Sequence, residues 1–188
     1  MDIQLANESD LDIIKKITNT TIKEIYPHYY PEGAVAFFLN HHNTENIMND
    51  ISNHNVFICY DLEKNVVGTV TIKKNEICRL FVLPKHQGKG YGRNLMEYAE
   101  TIISKHYEEI ILDASLSAKA IYLNRGYRES GYYAIKTDNS DYLCYDVMKK
   151  KVWWFDIACG YVMSVEALEM VYMMGEIRIR HRKVRKRV

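Results

Sequence analysis

Apolar residues near the start of the chain fall at helical spacing. Leu11, Ile14, Ile17 and Ile22 form one stripe, separated by lysines, threonines and acids. Ser9 precedes the stripe and Asp12 lies three residues on, which predicts a helix opened by a variant of the capping box. Ahead of it, Asp2 to Leu5 alternates briefly and predicts a first strand. The segment IYPHYYPEG, with two prolines and a glycine, predicts a bend. Two shorter helical patterns follow, at about Glu32 to Asn40 and Thr44 to Ile51. The second has Thr44 as its expected N-cap and Ile47, Met48 and Ile51 on its expected buried face.

From Val56 the period drops to two. VFICY and VVGTVTI read as strands around a turn at Asp61 to Asn65, and EICRLFVLP as a third strand stopped by Pro84. GYGRNLMEYAETIISKHY returns to helical spacing, with Leu95, Ala99, Ile102 and Ile103 on one face. EEIILDAS predicts a buried strand. Ala118 to Asn124 predicts a short helix ended by Gly126. Tyr132 to Ile135 and Asp141 to Val147 predict a closing hairpin. A strand–helix–strand unit inside an otherwise antiparallel succession implies an α/β (α+β) fold, a mixed sheet flanked by helices.

Residues 1–150 then read as one domain and residues 151–188 as a C-terminal extension. Lys149 to Lys151 suggest a basic hinge. Beyond them come the apolar run VWWFDIACGYVM, a helical pattern over Ser164 to Met174, and the basic tail RIRHRKVRKRV. Residues 152–188 hold seven Lys or Arg against four Asp or Glu, while the rest hold 18 against 20. Val165, Leu168, Met170, Val171 and Met174 form a broad apolar surface that calls for a partner, either the chain's own sheet or a second subunit in a homodimer. A basic tail more often marks a solvated terminus than a nucleic-acid contact.

Composition narrows the classes. The formal net charge of +1 implies no polyanionic partner. MDIQLANESD lacks the basic start and apolar run of a secretory signal, and no stretch approaches the ~20 apolar residues of a membrane span. Both point to a cytoplasmic protein. The four cysteines show no C-x-x-C spacing, so they read as reduced thiols, with no metal site expected.

The chemistry concentrates at Gln87-Gly88-Lys89-Gly90-Tyr91-Gly92, which follows a strand and opens a helix. Its glycines permit tight turns and close approach of a ligand. The helix start offers unpaired N–H groups and a partial positive charge, a setting for a diphosphate. Lys89 and Arg93 add charge. No P-loop spacing is present, and the dinucleotide fingerprint is also missing.

Q/R-x-x-G-x-G/A at a strand–helix junction resembles the acetyl-CoA signature of the GNAT superfamily of N-acetyltransferases, through Gln87, Gly90 and Gly92. Arg79 to Pro84 (RLFVLP) is similar to that family's pantetheine-binding strand. A second pattern, A-x-x-x-Y-x-x-x-G-[FY], matches Ala118, Tyr122, Gly126 and Tyr127. The resemblance covers roughly residues 1 to 150. One departure is Ser115, where many members carry Asn.

The resemblance implies transfer of an acetyl group from acetyl-CoA, as co-substrate, to a primary amine. Leu80, Phe81 and Val82 would hold the pantetheine arm through their backbone, with the N–H of Phe81 or Val82 polarising the thioester carbonyl. Ser115 would contribute a cofactor contact. Tyr122, a phenol protonated at neutral pH, would act as general acid. Glu76, sharing a face with Cys78, Leu80 and Val82 by the two-residue period, is the candidate base, and a water relay is the alternative. Tyr26, Tyr29 and Tyr30 would line the pocket of a small-molecule amine, while Phe37 and Phe38 read as core. His41 and His42, adjacent on a helix, should face apart. A peptide acceptor, or a catalytically idle CoA-binding module, remains an alternative function.

Overall fold

The computed structural model describes residues 1–152, which make one compact unit. The apolar segment, the Ser164 to Met174 helix and the basic tail lie outside the described residues. Strand β1 (Asp2–Leu5) leads into a 3-10 turn and helix α1 (Leu11–Ile25), followed by α2 (Glu32–His41) and α3 (Thr44–Ser52). Strands β2 (Val56–Tyr60), β3 (Val66–Lys73) and β4 (Glu76–Val82) form a meander. Helix α4 (Tyr91–Ser104), β5 (Glu109–Ala114), α5 (Lys119–Asn124), β6 (Arg128–Lys136) and β7 (Tyr142–Lys151) complete the unit.

The caps differ by a residue or two from the expected ones. The capping box before α1 is Asn7 with Asp10: the Asn7 side chain accepts from Ser9 N at 3.0 Å, and Asp10 accepts from Asn7 N at 2.9 Å. Asn43 rather than Thr44 caps α3, accepting from Asn46 N at 2.8 Å. In both places an Asx side chain was available just upstream, and it caps as well as a hydroxyl does. Lys149 to Lys151, expected as a hinge, are the end of β7. They pair with Ile111, Ile110 and Glu109, and Val152 N donates to Glu108 O at 2.9 Å.

The seven strands are ordered β1-β2-β3-β4-β5-β7-β6. All neighbours are antiparallel except β4 and β5, which the α4 crossover makes parallel. Helix α4 covers one face, burying Leu95, Met96, Ala99 and Ile103 against Val67, Val70, Ile110 and Leu112. Helices α1, α2 and α3 cover the other, through Ile17, Ile22 and Ala34 with Phe81 and Leu83, and through Ile14, Ile47 and Ile51 with Val56 and Ile58.

The parallel pair is short. Only Glu76↔Ile111 and Ile77↔Leu112 are in register, although β4 continues to Val82 and β5 to Ala114. A bulge accompanies the parting. Thr71 pairs with Arg79 but Ile72 pairs with Ile77, so Cys78 is the extra residue. A bulge bends and twists its strand. Here it accompanies a wedge-shaped gap between β4 and β5, open at the end where α4 begins.

Candidate active site

Main-chain groups of β4 face this gap. Leu83 N donates to Val67 O on β3 at 2.9 Å. Alternation then turns the amide of Phe81 toward β3 and leaves those of Leu80 and Val82 facing the gap. Of the two amides expected to polarise a carbonyl, Val82 therefore faces the gap and Phe81 is spent in the ladder. The Val82 carbonyl is fixed by two side chains: Gln87 Nε2 donates to it at 3.0 Å and Thr21 Oγ1 at 3.2 Å. Gln87 thus ties the glycine turn to the end of β4.

The turn itself opens α4. Gly88 and Gly90 have φ of +74° and +90°, which favours glycine at both. A Cβ built at either would meet no atom within 4 Å. No side chain caps α4. The N–H groups of Tyr91, Gly92 and Arg93 have no acceptor among the described residues. Unpaired amides, a helix dipole, Lys89 and Arg93, and open space above two glycines make a setting that fits an anion such as a diphosphate.

On the other side of the gap is a cleft of about 260 Å³. Leu80, Phe81 and Val82 of β4, Asp113 and Ser115 at the end of β5, Tyr122 of α5 and Tyr26 after α1 all line it. Tyr122 is half-buried and meets Tyr127 edge-to-face at 5.8 Å. Burial raises its phenol well above the ordinary value, so the proton stays on the oxygen at neutral pH. Tyr26 is buried, edge-on to Phe38 at 4.7 Å. Burial raises its phenol too, and Ser115 beside it pulls the other way. The Ser115 and Ser117 hydroxyls share a hydrogen bond of 3.0 Å.

Several expected site residues stand elsewhere. Tyr29 is exposed and away from the cleft. Tyr30 is a tie-bar: its hydroxyl donates to Cys144 O at 3.1 Å and accepts from Leu116 N at 2.7 Å. That holds the bend before α2 against β7 and the loop after β5. Phe37 and Phe38 pack against the core, as expected, and also line the cleft. Glu76 does not. The bulge at Cys78 reverses the alternation of β4, so Ile77 packs with Leu80 and Val82 on the α4 side, and Glu76 no longer shares their face.

The carboxylate that does line the cleft is Asp113, which sequence reasoning missed. It has no hydrogen bond or ion pair among the described residues. Burial, and then the negative charge of Glu76, raise its pKa above the ordinary aspartate value. One signal was available: Asp113 interrupts an apolar strand, out of phase with Ile110, Leu112 and Ala114, which are buried on the opposite face.

A buried polar cluster closes the far wall. Arg79, 5% exposed, donates from Nε to His42 Nδ1 at 3.2 Å and from Nη1 to Thr71 Oγ1 at 3.1 Å. Its Nη2 meets Asp50 Oδ2 at 3.1 Å, and Lys73 Nζ meets the other Asp50 oxygen at 2.6 Å. His42 ends α2 with non-helical φ and ψ, so its ring does not point away from that of His41. The two meet edge-on at 4.9 Å. Burial, then the Arg79 charge, lowers the His42 pKa to about 3.

The site thus combines a backbone gap in a mixed sheet, an uncapped helix start at the crossover and a protonated phenol lining the cleft beside β4. Comparison with known proteins places it. The GNAT acetyltransferase domain model matches residues 25–144, more than half of the chain. The chain belongs to the GNAT acetyltransferase family. It is 27% identical over 146 residues to a spermidine N(1)-acetyltransferase of Vibrio cholerae, covering 70% of this chain and 78% of that protein. Among solved structures, a GCN5-related N-acetyltransferase from Rhodopseudomonas palustris superposes with a TM-score of 0.73 at 19% identity, covering 80% of this chain and 95% of the other. The PaiA N-acetyltransferase of Thermoplasma acidophilum, solved in complex with coenzyme A, gives 0.59 at 22% identity, covering 80% and 98%. Among the described residues no group of three or more His, Cys, Asp or Glu could hold a metal, and no helix is long and apolar enough to cross a membrane.

Proposed function

We propose that the protein moves the acetyl group of acetyl-CoA to a primary amine of a small molecule. The observation that carries this reading is the meeting of three features at β4. Leu80, Val82 and Tyr122 line one cleft, and Gln87 ties the turn with its unpaired amides to the Val82 carbonyl at the end of β4. Acetyl-CoA supplies an activated acyl thioester. The chain supplies placement and protons. The Gln87–Arg93 turn receives the diphosphate, Leu80 and Val82 bind the pantetheine arm through their main chain, and Ser115 contacts it from the residue just after β5. Val82 N–H donates toward the carbonyl oxygen where negative charge develops.

Asp113 attracts the ammonium form of the acceptor and takes its proton, so that the neutral amine can attack. Glu76, behind it, raises its proton affinity. Tyr122 gives a proton to the departing thiolate. The phenols and phenylalanines of the cleft suit the body of an organic amine. The spermidine acetyltransferase relative supports a small-molecule acceptor over a peptide.

The test is calorimetry with coenzyme A on the wild type and on Gly90→Val. Left-handed φ costs a branched residue about 1–2 kcal/mol, and the side chain fills the space over the turn. The expected result is tight binding by the wild type and at least tenfold weaker binding by the variant. Equal affinities would remove the diphosphate from the turn.

A further inference from the structure

The cleft lining carries two kinds of polar group. Asp113 offers a carboxylate with no partner among the described residues, and His42 and Arg79 also line the wall. Arg79, Asp50 and Lys73 form one linked cluster with two positive charges against one negative.

The tautomer of His42 follows from its partner. A guanidinium only donates hydrogen bonds, so the Nδ1 facing Arg79 Nε at 3.2 Å must be an acceptor. The ring proton is then on Nε2. His42 is 7% exposed, yet its Nε2 donates to nothing among the described residues. It is also not among the side-chain nitrogens and oxygens sealed from solvent without a partner. The accessible surface left to Nε2 belongs to a residue that lines the cleft. Burial and the Arg79 charge hold its pKa well below the ordinary histidine value, so near neutral pH the ring stays a donor and does not become a second cation.

Resting on the acetyltransferase reading, we propose that His42 Nε2–H recognises a carboxylate or carbonyl oxygen at the far end of the acceptor, whose amine is held at Asp113. The acceptor class is then an amine that carries such an oxygen, of amino-acid or amino-amide type. A polyamine is disfavoured. It would bring a second ammonium against an imidazole that faces the cleft as a donor, backed by a cluster of net positive charge. This sets the chain apart from the spermidine-acetylating relative, and the difference resides in residues of α2, α3 and β4.

The experiment compares matched series of linear amines of graded length under saturating acetyl-CoA: the plain alkylamine, the α,ω-diamine, the ω-amino acid and its amide. Release of free thiol gives kcat/KM for each. The wild type should prefer the best oxygen-bearing acceptor to the diamine of equal length by about tenfold or more, the range of one well-placed hydrogen bond to a charged or strongly polar group. His42→Phe should collapse that preference to within about twofold, with the plain alkylamine as the internal reference for each variant. His42→Asn, which keeps one acceptor and one donor, should restore part of it. Because each variant is judged by its own ratio of acceptors, a general loss of stability does not mimic the result.

A wild type that acetylates diamines as well as or better than the oxygen-bearing amines overturns the inference and leaves the acetyltransferase reading intact. Unchanged preference in His42→Phe overturns the role of that residue. Binding of the oxygen-bearing amine to the coenzyme A complex without any transfer, read by calorimetry, refutes the catalytic reading and retains the recognition. Neither binding nor transfer for the whole series refutes both.

Discussion

Tyr122 is a half-buried side chain on a short, mostly exposed helix, and its environment determines its use. With no hydrogen-bond partner among the described residues and its pKa raised by burial, it keeps its proton and presents it to the cleft. Tyr122→Phe removes the proton and keeps the ring that packs against Tyr127. Turnover should fall by roughly 10²–10⁴, as for loss of a general acid, with coenzyme A affinity unchanged. Steady-state kinetics beside calorimetry checks both. Turnover within a few-fold of wild type, with chemistry rate-limiting, would take the acid role from Tyr122. The neighbouring phenols have different fates for local reasons. Tyr26 faces the cleft, whereas Tyr30, four residues on, spends its hydroxyl on Leu116 and Cys144.

At the scale of elements, the buried cluster joins α2 through His42, α3 through Asp50, β3 through Thr71 and Lys73, and β4 through Arg79. It couples the cleft wall to the strand that bears the free backbone. Its pH dependence has a defined sign. His42 has a folded pKa of about 3 against an ordinary 6.5, so the unfolded chain binds this proton first as pH falls. Stability from this group is complete above about pH 6.5 and is lost on acidification toward 3, by at most ~1.4 kcal/mol per pH unit. Urea denaturation of the wild type and His42→Asn between those limits should show the wild type losing stability more steeply. Parallel curves would mean that His42 titrates normally in the folded protein.

For the whole molecule, the sheet closes only at its last residues. Lys149 to Lys151 continue the ladder to β5, and Val152 N bonds Glu108 O. A boundary at residue 150 would cut into this ladder, while one after Val152 leaves it whole. A chain ending at Val152 should therefore unfold cooperatively and retain acetyl transfer within a few-fold, whereas one ending at Val147 should lose stability and solubility. Thermal unfolding and thiol release distinguish the two. An inactive but folded chain ending at Val152 would place residues 153–188 in the active site.

The sequence by itself determined the elements and the glycine turn that opens α4. Periods of two and 3.6 are local, so the strands and helices could be placed from Leu11, Ile14 and Ile17, or from VVGTVTI. The glycine turn was equally legible, because a positive φ and an uncapped helix start are properties of consecutive residues. What only the tertiary structure decided is which side chains meet. A single bulge at Cys78 turned Glu76 off the face of Leu80 and Val82, and no local pattern announces a bulge in EICRLFV. Asp113 became a site residue because β5 parts from β4 just before it. Asp50 on α3 and Arg79 on β4 are buried together with His42. They come from segments 29 and 37 residues apart along the chain, and a buried charge is stable only beside partners that folding brings to it.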